Sequence, residues 1–101
     1  MSVVIIGGNE GMEQRYRRLC EDYDCKVKIY TKQKGEIKNI GFPDLLILFT
    51  GTMSHKMLKC VMNQPQNDGL RIARSPQSSL TALKKILEIH TENRKGGKGN
   101  V

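Results

Sequence analysis

The most constraining feature of the sequence is an unbroken apolar run, Val3–Ile6, which stops at a pair of glycines. A continuous apolar run of this length is typical of a strand buried on both faces of a parallel sheet. Gly7 and Gly8 favour a tight turn, because glycine adopts backbone conformations that other residues avoid. A helical pattern begins after Gly11, so the turn leads into a helix N-terminus with free N–H groups. This strand–turn–helix arrangement is suited to binding an anion.

Three further segments have strand patterns. Residues 45–49 form a second unbroken apolar run, so they and Val3–Ile6 predict two central strands. Residues 25–30 and 70–73 alternate apolar with polar side chains, which predicts edge strands. Right-handed crossovers between parallel strands then give the strand order 2-1-3-4. Residues 31–44 contain glycine, proline and few apolar anchors, so we expect at most one helical turn there.

Helical patterns with one apolar face alternate with these strands, at about residues 12–22, 54–64 and 78–90. Asn9 is the expected N-cap of the first helix, and His90 would end the third, where a cation is favoured. The alternation predicts an α/β fold, namely a small three-layer Rossmann-like domain with a four-stranded parallel sheet and about three helices. We expect residues 1–90 to form this single domain and residues 91–101 to form a flexible basic tail.

Charge and hydropathy limit the location and the partners of the chain. Seventeen basic and ten acidic residues give a net charge of +7, which favours contact with phosphates in general. No apolar run approaches the roughly 20 residues that a membrane helix needs, so we expect no membrane partner. The first residues form a strand pattern without a signal-peptide pattern, which favours a cytoplasmic location.

The chain has three cysteines, an odd number, and no C-x-x-C motif. This pattern argues against a disulfide framework and against a structural zinc site. Cys20 and Cys60 fit best as small thiols in the core, and Cys25 has no visible activating partner. No cluster of carboxylates is present to bind a metal, and the sequence does not identify a cofactor.

Ligands of open parallel sheets bind beyond the carboxyl ends of the strands, where the strand order reverses. Strands one and three flank that point here, and the turn after strand four lies beside it. These turns offer backbone N–H groups, hydroxyls, an imidazole and a guanidinium, which suit phosphate or carboxylate. The predicted ligand-binding residues are Gly7, Gly8, Asn9, Gly11, Thr50, Gly51, Thr52, Ser54, His55, Arg74, Ser75 and Ser78.

Some of these predicted ligand-binding residues can equally have a purely structural role. The glycine spacing matches neither the dinucleotide-binding fingerprint nor a P-loop, so the first turn can be a tight turn without a ligand. His55 can donate a hydrogen bond or accept a proton, or it can simply cap or pack locally. Ser54 and His55 do not form a nucleophile–base pair, because adjacent residues on a helix do not face each other. We therefore predict no catalytic residue and favour a binding protein over an enzyme.

Several of these motifs together resemble an uncharacterised bacterial family known only as domain of unknown function 2325. The resemblance covers roughly residues 2–90. It rests on Val3–Gly11 followed by Met12–Tyr16, on Pro43–Asp44 before an apolar strand, on Ser54–His55, and on Arg74–Ser75 ahead of Ser78–Leu80. The resemblance implies a bacterial or mobile-element origin and a compact Rossmann-like domain. It implies no activity, because none is established for the family, and it leaves the Gly-Lys tail and any fused partner domain unaccounted for.

Three functional hypotheses follow. The first is a small binding or regulatory module that holds an anionic ligand, such as a phosphate-bearing compound or a nucleotide, at the carboxyl edge of the sheet. The second is a nucleic-acid accessory protein that contacts the phosphate backbone through three basic clusters, at residues 15–18, 32–38 and 94–98. The third is a ligand-free homodimeric adaptor, joined through the edge strand at residues 25–30 or through a helix face. Met53 and Met57 would then lie at a contact, although a role in the core fits them better.

Overall fold

A computed structural model of the chain describes residues 1–31, 40–65 and 68–99, and for residues 92–99 it describes the backbone alone. The strands are β1 (Ser2–Gly7), β2 (Lys26–Tyr30), β3 (Leu45–Phe49) and β4 (Arg71–Ser75). The helices are α1 (Glu13–Asp22), α2 (His55–Met62) and α3 (Leu80–Gly99). Single turns of 3-10 helix, Glu10–Met12 and Thr50–Thr52, lead towards α1 and α2.

The four strands form one parallel sheet in the order β2-β1-β3-β4, which confirms the predicted topology. The two apolar runs pair at the centre, with Ile5 opposite Ile47 and Ile6 opposite Leu48. Every residue of β3 is buried, because strand residues point alternately to the two faces and helices cover both. The predicted α/β class is therefore confirmed.

Two apolar clusters, one on each face of the sheet, account for the three layers. On one face, Ile5 and Ile47 pack with Tyr16 of α1 and Leu83 of α3. On the other face, Ile6, Leu48 and other residues pack with Val61 of α2. Each fully buried aliphatic side chain contributes about 1.5–3 kcal/mol, so these clusters supply most of the driving force for folding. We call the two faces the α1/α3 side and the α2 side.

The ends of two helices differ from their predicted positions. α2 ends at Met62, two residues earlier than predicted, and Asn63 caps it by donating its N–H to the carbonyl of Lys59. The backbone of α3 continues to Gly99, past the predicted end at His90. The predicted end follows the last apolar residues of the sequence pattern. The hydrogen bonds of a helix are local, so the backbone continues as a helix without apolar side chains that anchor it to the core. A flexible tail distinct from the domain stays a prediction.

The segment before β3, for which the sequence predicts at most one helical turn, lies partly outside the described residues, since residues 32–39 are not among them. Its last residues contribute to the fold. Ile40 is buried in the α2-side cluster, and its N–H donates to the side-chain oxygen of Gln64 at 3.0 Å. The carboxylate of Asp44 accepts a hydrogen bond from the N–H of Ser2 at 2.8 Å, which ties the start of β1 to the start of β3.

The C-terminus of α1 has the hydrogen bonds of a Schellman motif. The N–H of Asp24 donates to the carbonyl of Glu21, and the N–H of Cys25 donates to the carbonyl of Cys20, both at 2.9 Å. Asp24 has a φ of +59°, in the left-handed region where glycine is the usual residue. Cys20 and Cys25, both buried, occupy the two positions that commonly make the apolar contact of this motif.

Replacing Asp24 by glycine should therefore give a free energy of unfolding about 0.5–1 kcal/mol above that of Asp24→Ala. Glycine adopts this backbone conformation without the steric penalty of a Cβ. Asp24→Ala is the matched control, because it removes the same carboxylate but keeps a Cβ. Urea denaturation compares the two variants, and an Asp24→Gly protein no more stable than Asp24→Ala would refute the explanation.

Candidate functional site

Three loops meet where β1, β3 and β4 end, and we call this edge of the sheet the rim. Loop 1 is residues 8–12, loop 2 is residues 50–54 and loop 3 is residues 76–79. The N–H of Gly8 donates to the Thr52 hydroxyl at 2.6 Å, which joins loop 1 to loop 2. The carbonyl of Pro76 in loop 3 lies so close to Gly51 that no Cβ would fit there. Loop 2 therefore contacts both neighbouring loops.

The side chain of Tyr16 connects loop 1 to loop 3. Its hydroxyl donates to the carbonyl of Ser78 at 2.6 Å and accepts a hydrogen bond from the N–H of Asn9 at 3.1 Å. The ring is fully buried and lies tilted against Phe49, with 5.6 Å between the ring centroids. This role of Tyr16 was missed from the sequence. The available signal was its hydroxyl, which usually finds a hydrogen-bond partner when a tyrosine is buried.

The two adjacent glycines are required by the backbone. Gly7 and Gly8 have φ angles of +90° and +95°, which other residues rarely adopt. A Cβ on Gly7 would lie 2.8 Å from the carbonyl oxygen of Phe49. A Cβ on Gly8 would lie 3.0 Å from the ring of Tyr16. The glycines thus allow β1 to pass close to the end of β3 and to α1.

Several predicted donors of the rim already have acceptors inside the protein. The N–H of Gly8 is bonded to Thr52, and the N–H of Gly11 donates to the Asn9 side chain at 2.8 Å. Asn9 therefore caps the 3-10 turn and not α1 as predicted, because the 3-10 turn comes first and Met12 is the N-cap of α1. The Thr52 hydroxyl in turn donates to the carbonyl of Phe49 at 3.0 Å. These groups hold loops 1 and 2 in place and are not available to a ligand without a rearrangement.

The polar groups near loop 3 are also used internally. The Thr50 hydroxyl is 3.4 Å from the carbonyl of Ser75, to which it donates. The Ser75 hydroxyl donates to the carbonyl of Gln77 at 2.7 Å and accepts a hydrogen bond from its N–H at 3.2 Å. Ser78 is half-buried, and its carbonyl is the acceptor for Tyr16. The polar groups of Thr50, Ser75 and Ser78 therefore form hydrogen bonds with other residues of the rim.

The N-terminus of α2 presents a different kind of group. Ser54 caps the helix, because its hydroxyl oxygen accepts a hydrogen bond from the N–H of Met57 at 3.0 Å. The first two helical residues, His55 and Lys56, are exposed. Their N–H groups precede the first intrahelical hydrogen bond, donated by Leu58 to the carbonyl of Ser54. Within the described residues they have no acceptor, so they face solvent at the positive end of the helix dipole.

Arg74 lies on the same side of the sheet as α2. It pairs with Leu48 in the parallel register, and both Leu48 and Ile72 belong to the α2-side cluster. Because residues of a strand alternate between faces, Arg74 shares the face of Ile72. It is exposed, and the described part of the chain provides no ion-pair partner for it. Ser54, His55 and Arg74 thus belong to the α2 side of the rim, whereas Tyr16 ties the loops together on the α1/α3 side.

Cys20 and His90, which lie away from the rim, have shifted pKa values. Burial, and next the neighbouring Cys25, raise the pKa of the Cys20 thiol to about 12, so it is an unreactive core thiol. Burial, and next the guanidinium of Arg71, lower the pKa of His90 from its usual value. The expectation that His90 is favoured as a cation at a helix end is wrong, because α3 continues past it.

Other predicted features fall outside the rim or outside the described side chains. The basic clusters at 32–38 and 94–98 have no described side chains. In the cluster at 15–18, Arg17 lies 3.7 Å from the carboxylate of Glu13 and is engaged within the helix. Met53 and Met57 pack against the α2-side cluster. Nucleic-acid binding and dimer formation stay predictions.

The described residues lack two further features. They contain no group of three histidine, cysteine or acidic side chains placed to hold a metal ion. None of their helices has both the length and the apolar character needed to cross a membrane.

Comparison with known proteins identifies the family. No curated protein and no solved structure shows significant similarity to the chain. A family model described as "Uncharacterized protein conserved in bacteria (DUF2325)" matches residues 2–90, which include β1 to β4, α1, α2 and most of α3. The match therefore covers all three loops of the rim. The chain belongs to the DUF2325 family of uncharacterised bacterial proteins.

Proposed function

We propose that the chain is a small binding module that holds an anionic, phosphate-bearing ligand on the α2 side of the rim. The observation that carries the proposal is the contrast between the two kinds of donor at this edge. The amides of Gly8 and Gly11 are bonded internally. The side chains of His55 and Arg74 and the first amides of α2 are exposed and have no acceptor among the described residues.

These groups suit a phosphate for distinct physical reasons. The guanidinium of Arg74 can donate two parallel hydrogen bonds to phosphate oxygens and always carries a positive charge. The free N–H groups of His55 and Lys56 add donors that are fixed in direction, and the helix dipole favours negative charge at this position. The net charge of +7 attracts anions from a distance. A nucleotide or another small phosphate ester has the matching charge.

The internal hydrogen bonds of the rim support the same proposal. A site costs less conformational entropy to occupy when its residues are held in place before the ligand arrives. Thr52 fixes loop 2 against loop 1, and α2 begins three residues after Thr52. The Ser54 hydroxyl oxygen already caps α2. Among the described residues no hydrogen bond joins the Ser54 hydroxyl to a base that could activate it, so this arrangement favours binding over nucleophilic catalysis.

Calorimetric titration at low salt, with inorganic pyrophosphate and with ATP as probes, tests the proposal. Loss of one charge-assisted hydrogen bond costs about 1.5 kcal/mol, so Arg74→Ala should weaken binding about tenfold. His55→Ala should also weaken it, by a few-fold. Arg71→Ala is the matched control, because it removes the same charge from the opposite end of β4 and should leave the affinity within about twofold.

Two results would reject the proposal. One is a parent protein that binds neither probe at concentrations up to about 1 mM. The other is a loss of affinity in Arg71→Ala that equals the loss in Arg74→Ala, which would show that the anion responds to net charge and not to the rim. Circular dichroism of each variant checks that the fold is retained.

A further inference from the structure

A groove runs between α1 and α3 on the outside of the α1/α3 side. Its volume is about 330 Å³, and it is open to solvent. From α1 it is lined by four residues spaced along one helix face, and from α3 by three residues of the first turn and a half. The lining residues are Arg15, Arg18, Leu19, Asp22, Leu80, Thr81 and Lys84. The groove lies on the face of the sheet opposite α2 and is therefore separate from the proposed anion site.

The floor and the walls of the groove differ in chemistry. Leu19 and Leu80 are half-buried and leave apolar surface at the floor. Arg15, Arg18 and Lys84 are exposed on the walls. None of these three cations has an ion-pair partner within the described part of the chain, in contrast to Arg17, which is paired with Glu13. The walls carry these three cations against one carboxylate, that of Asp22.

We propose that this groove docks an acidic amphipathic helix of a partner protein. A helix that lies in a groove between two helices places apolar side chains at i, i+3, i+4 and i+7 on the floor. Leu19 and Leu80 would receive those side chains. Acidic residues that flank the apolar stripe would meet Arg15, Arg18 and Lys84, so charge complementarity sets the acidic character of the partner.

The apolar floor favours a protein segment over nucleic acid. A phosphate backbone is recognised by cations and hydrogen-bond donors, and it gains nothing from covering leucine side chains. Single-stranded nucleic acid needs aromatic platforms for its bases, and none of the lining residues is aromatic. An amphipathic helix uses both the cations and the leucines, and each buried leucine side chain contributes to its affinity.

Fluorescence anisotropy with a labelled synthetic helix tests this proposal on the full chain. The probe carries leucine at i, i+3, i+4 and i+7 and glutamate at most other positions. Arg18→Glu and Lys84→Glu should each weaken binding about tenfold, because each replaces an attraction by a repulsion. Lys85→Glu is the matched control, since Lys85 is exposed and next in sequence but does not line the groove. It should weaken binding less than about threefold.

Two further probes make the outcome decisive. A peptide with serine in place of leucine should bind much more weakly, and a short DNA duplex should bind no more tightly than the acidic helix. The proposal is overturned if the leucine helix does not bind at about 1 mM. It is also overturned if the serine peptide binds equally well, if Lys85→Glu loses as much affinity as Lys84→Glu, or if the DNA binds more tightly and depends on Arg18. None of these results bears on the ligand at the rim.

Discussion

Replacing Gly7 by alanine is expected to lower the free energy of unfolding by about 3–5 kcal/mol. At a φ of +90° any residue with a Cβ is strained. The new Cβ would also lie 2.8 Å from the carbonyl oxygen of Phe49 and 2.9 Å from the Thr52 hydroxyl oxygen. The Phe49 carbonyl belongs to the backbone of β3 and cannot move aside without disturbing the sheet. Urea denaturation followed by circular dichroism measures the loss.

Gly11 provides the matched control for Gly7. A Cβ there would meet only the side chain of Asn9, at 3.3 Å, and the φ of Gly11 is not positive. Gly11→Ala should therefore change the stability by no more than about 0.5 kcal/mol. If Gly7→Ala were as stable as Gly11→Ala, the explanation that β1 lies too close to the end of β3 for a Cβ at Gly7 would be refuted.

Replacing Tyr16 by phenylalanine is expected to cost about 2–3 kcal/mol. The ring and its contact with Phe49 are retained, but the carbonyl of Ser78 loses its donor and the N–H of Asn9 loses its acceptor. Both backbone groups are partly buried, and a buried polar group left without a partner pays its full desolvation cost. The same variant should speed hydrogen exchange of the Asn9 amide, because loops 1 and 3 are no longer tied together.

Tyr23→Phe is the control for the loss of a tyrosine hydroxyl. The Tyr23 hydroxyl makes an exposed, long hydrogen bond to the carboxylate of Glu88, at 3.4 Å. Its removal should cost about 0.5 kcal/mol or less, and it should not change the exchange of the Asn9 amide. A Tyr16→Phe protein with parental stability and parental exchange would show that the loops are held by other contacts.

The architecture was predictable because its main signals are local in sequence. The unbroken apolar runs that became β1 and β3 can only be buried on both faces, and the alternating segments that became β2 and β4 fit sheet edges. Those four segments leave few parallel topologies. The end of α3 was not predictable in the same way, because the apolar periodicity stops at about His90 whereas the helical backbone continues.

The rim was predictable only in part. Its three loops follow from the strand order, since parallel neighbours end at the same edge. The hydrogen-bond partner of each polar group does not follow from the strand order, because it depends on contacts between residues far apart in sequence. Thr52 lies 44 residues from Gly8, and Tyr16 lies 62 residues from Ser78. Residues that looked like ligand donors in the sequence therefore include several that bind the loops to each other.

An NMR titration of the isotope-labelled protein with pyrophosphate is the most direct test of where the ligand binds. If the ligand occupies the α2 side of the rim, the amide signals of His55 and Lys56 and the side-chain N–H of Arg74 should shift together as the probe is added. The Gly8 and Gly11 amides, which are bonded to Thr52 and Asn9, should shift little and remain protected from exchange. Dominant shifts at Gly8 and Gly11, with His55 and Arg74 unchanged, would contradict the proposed site.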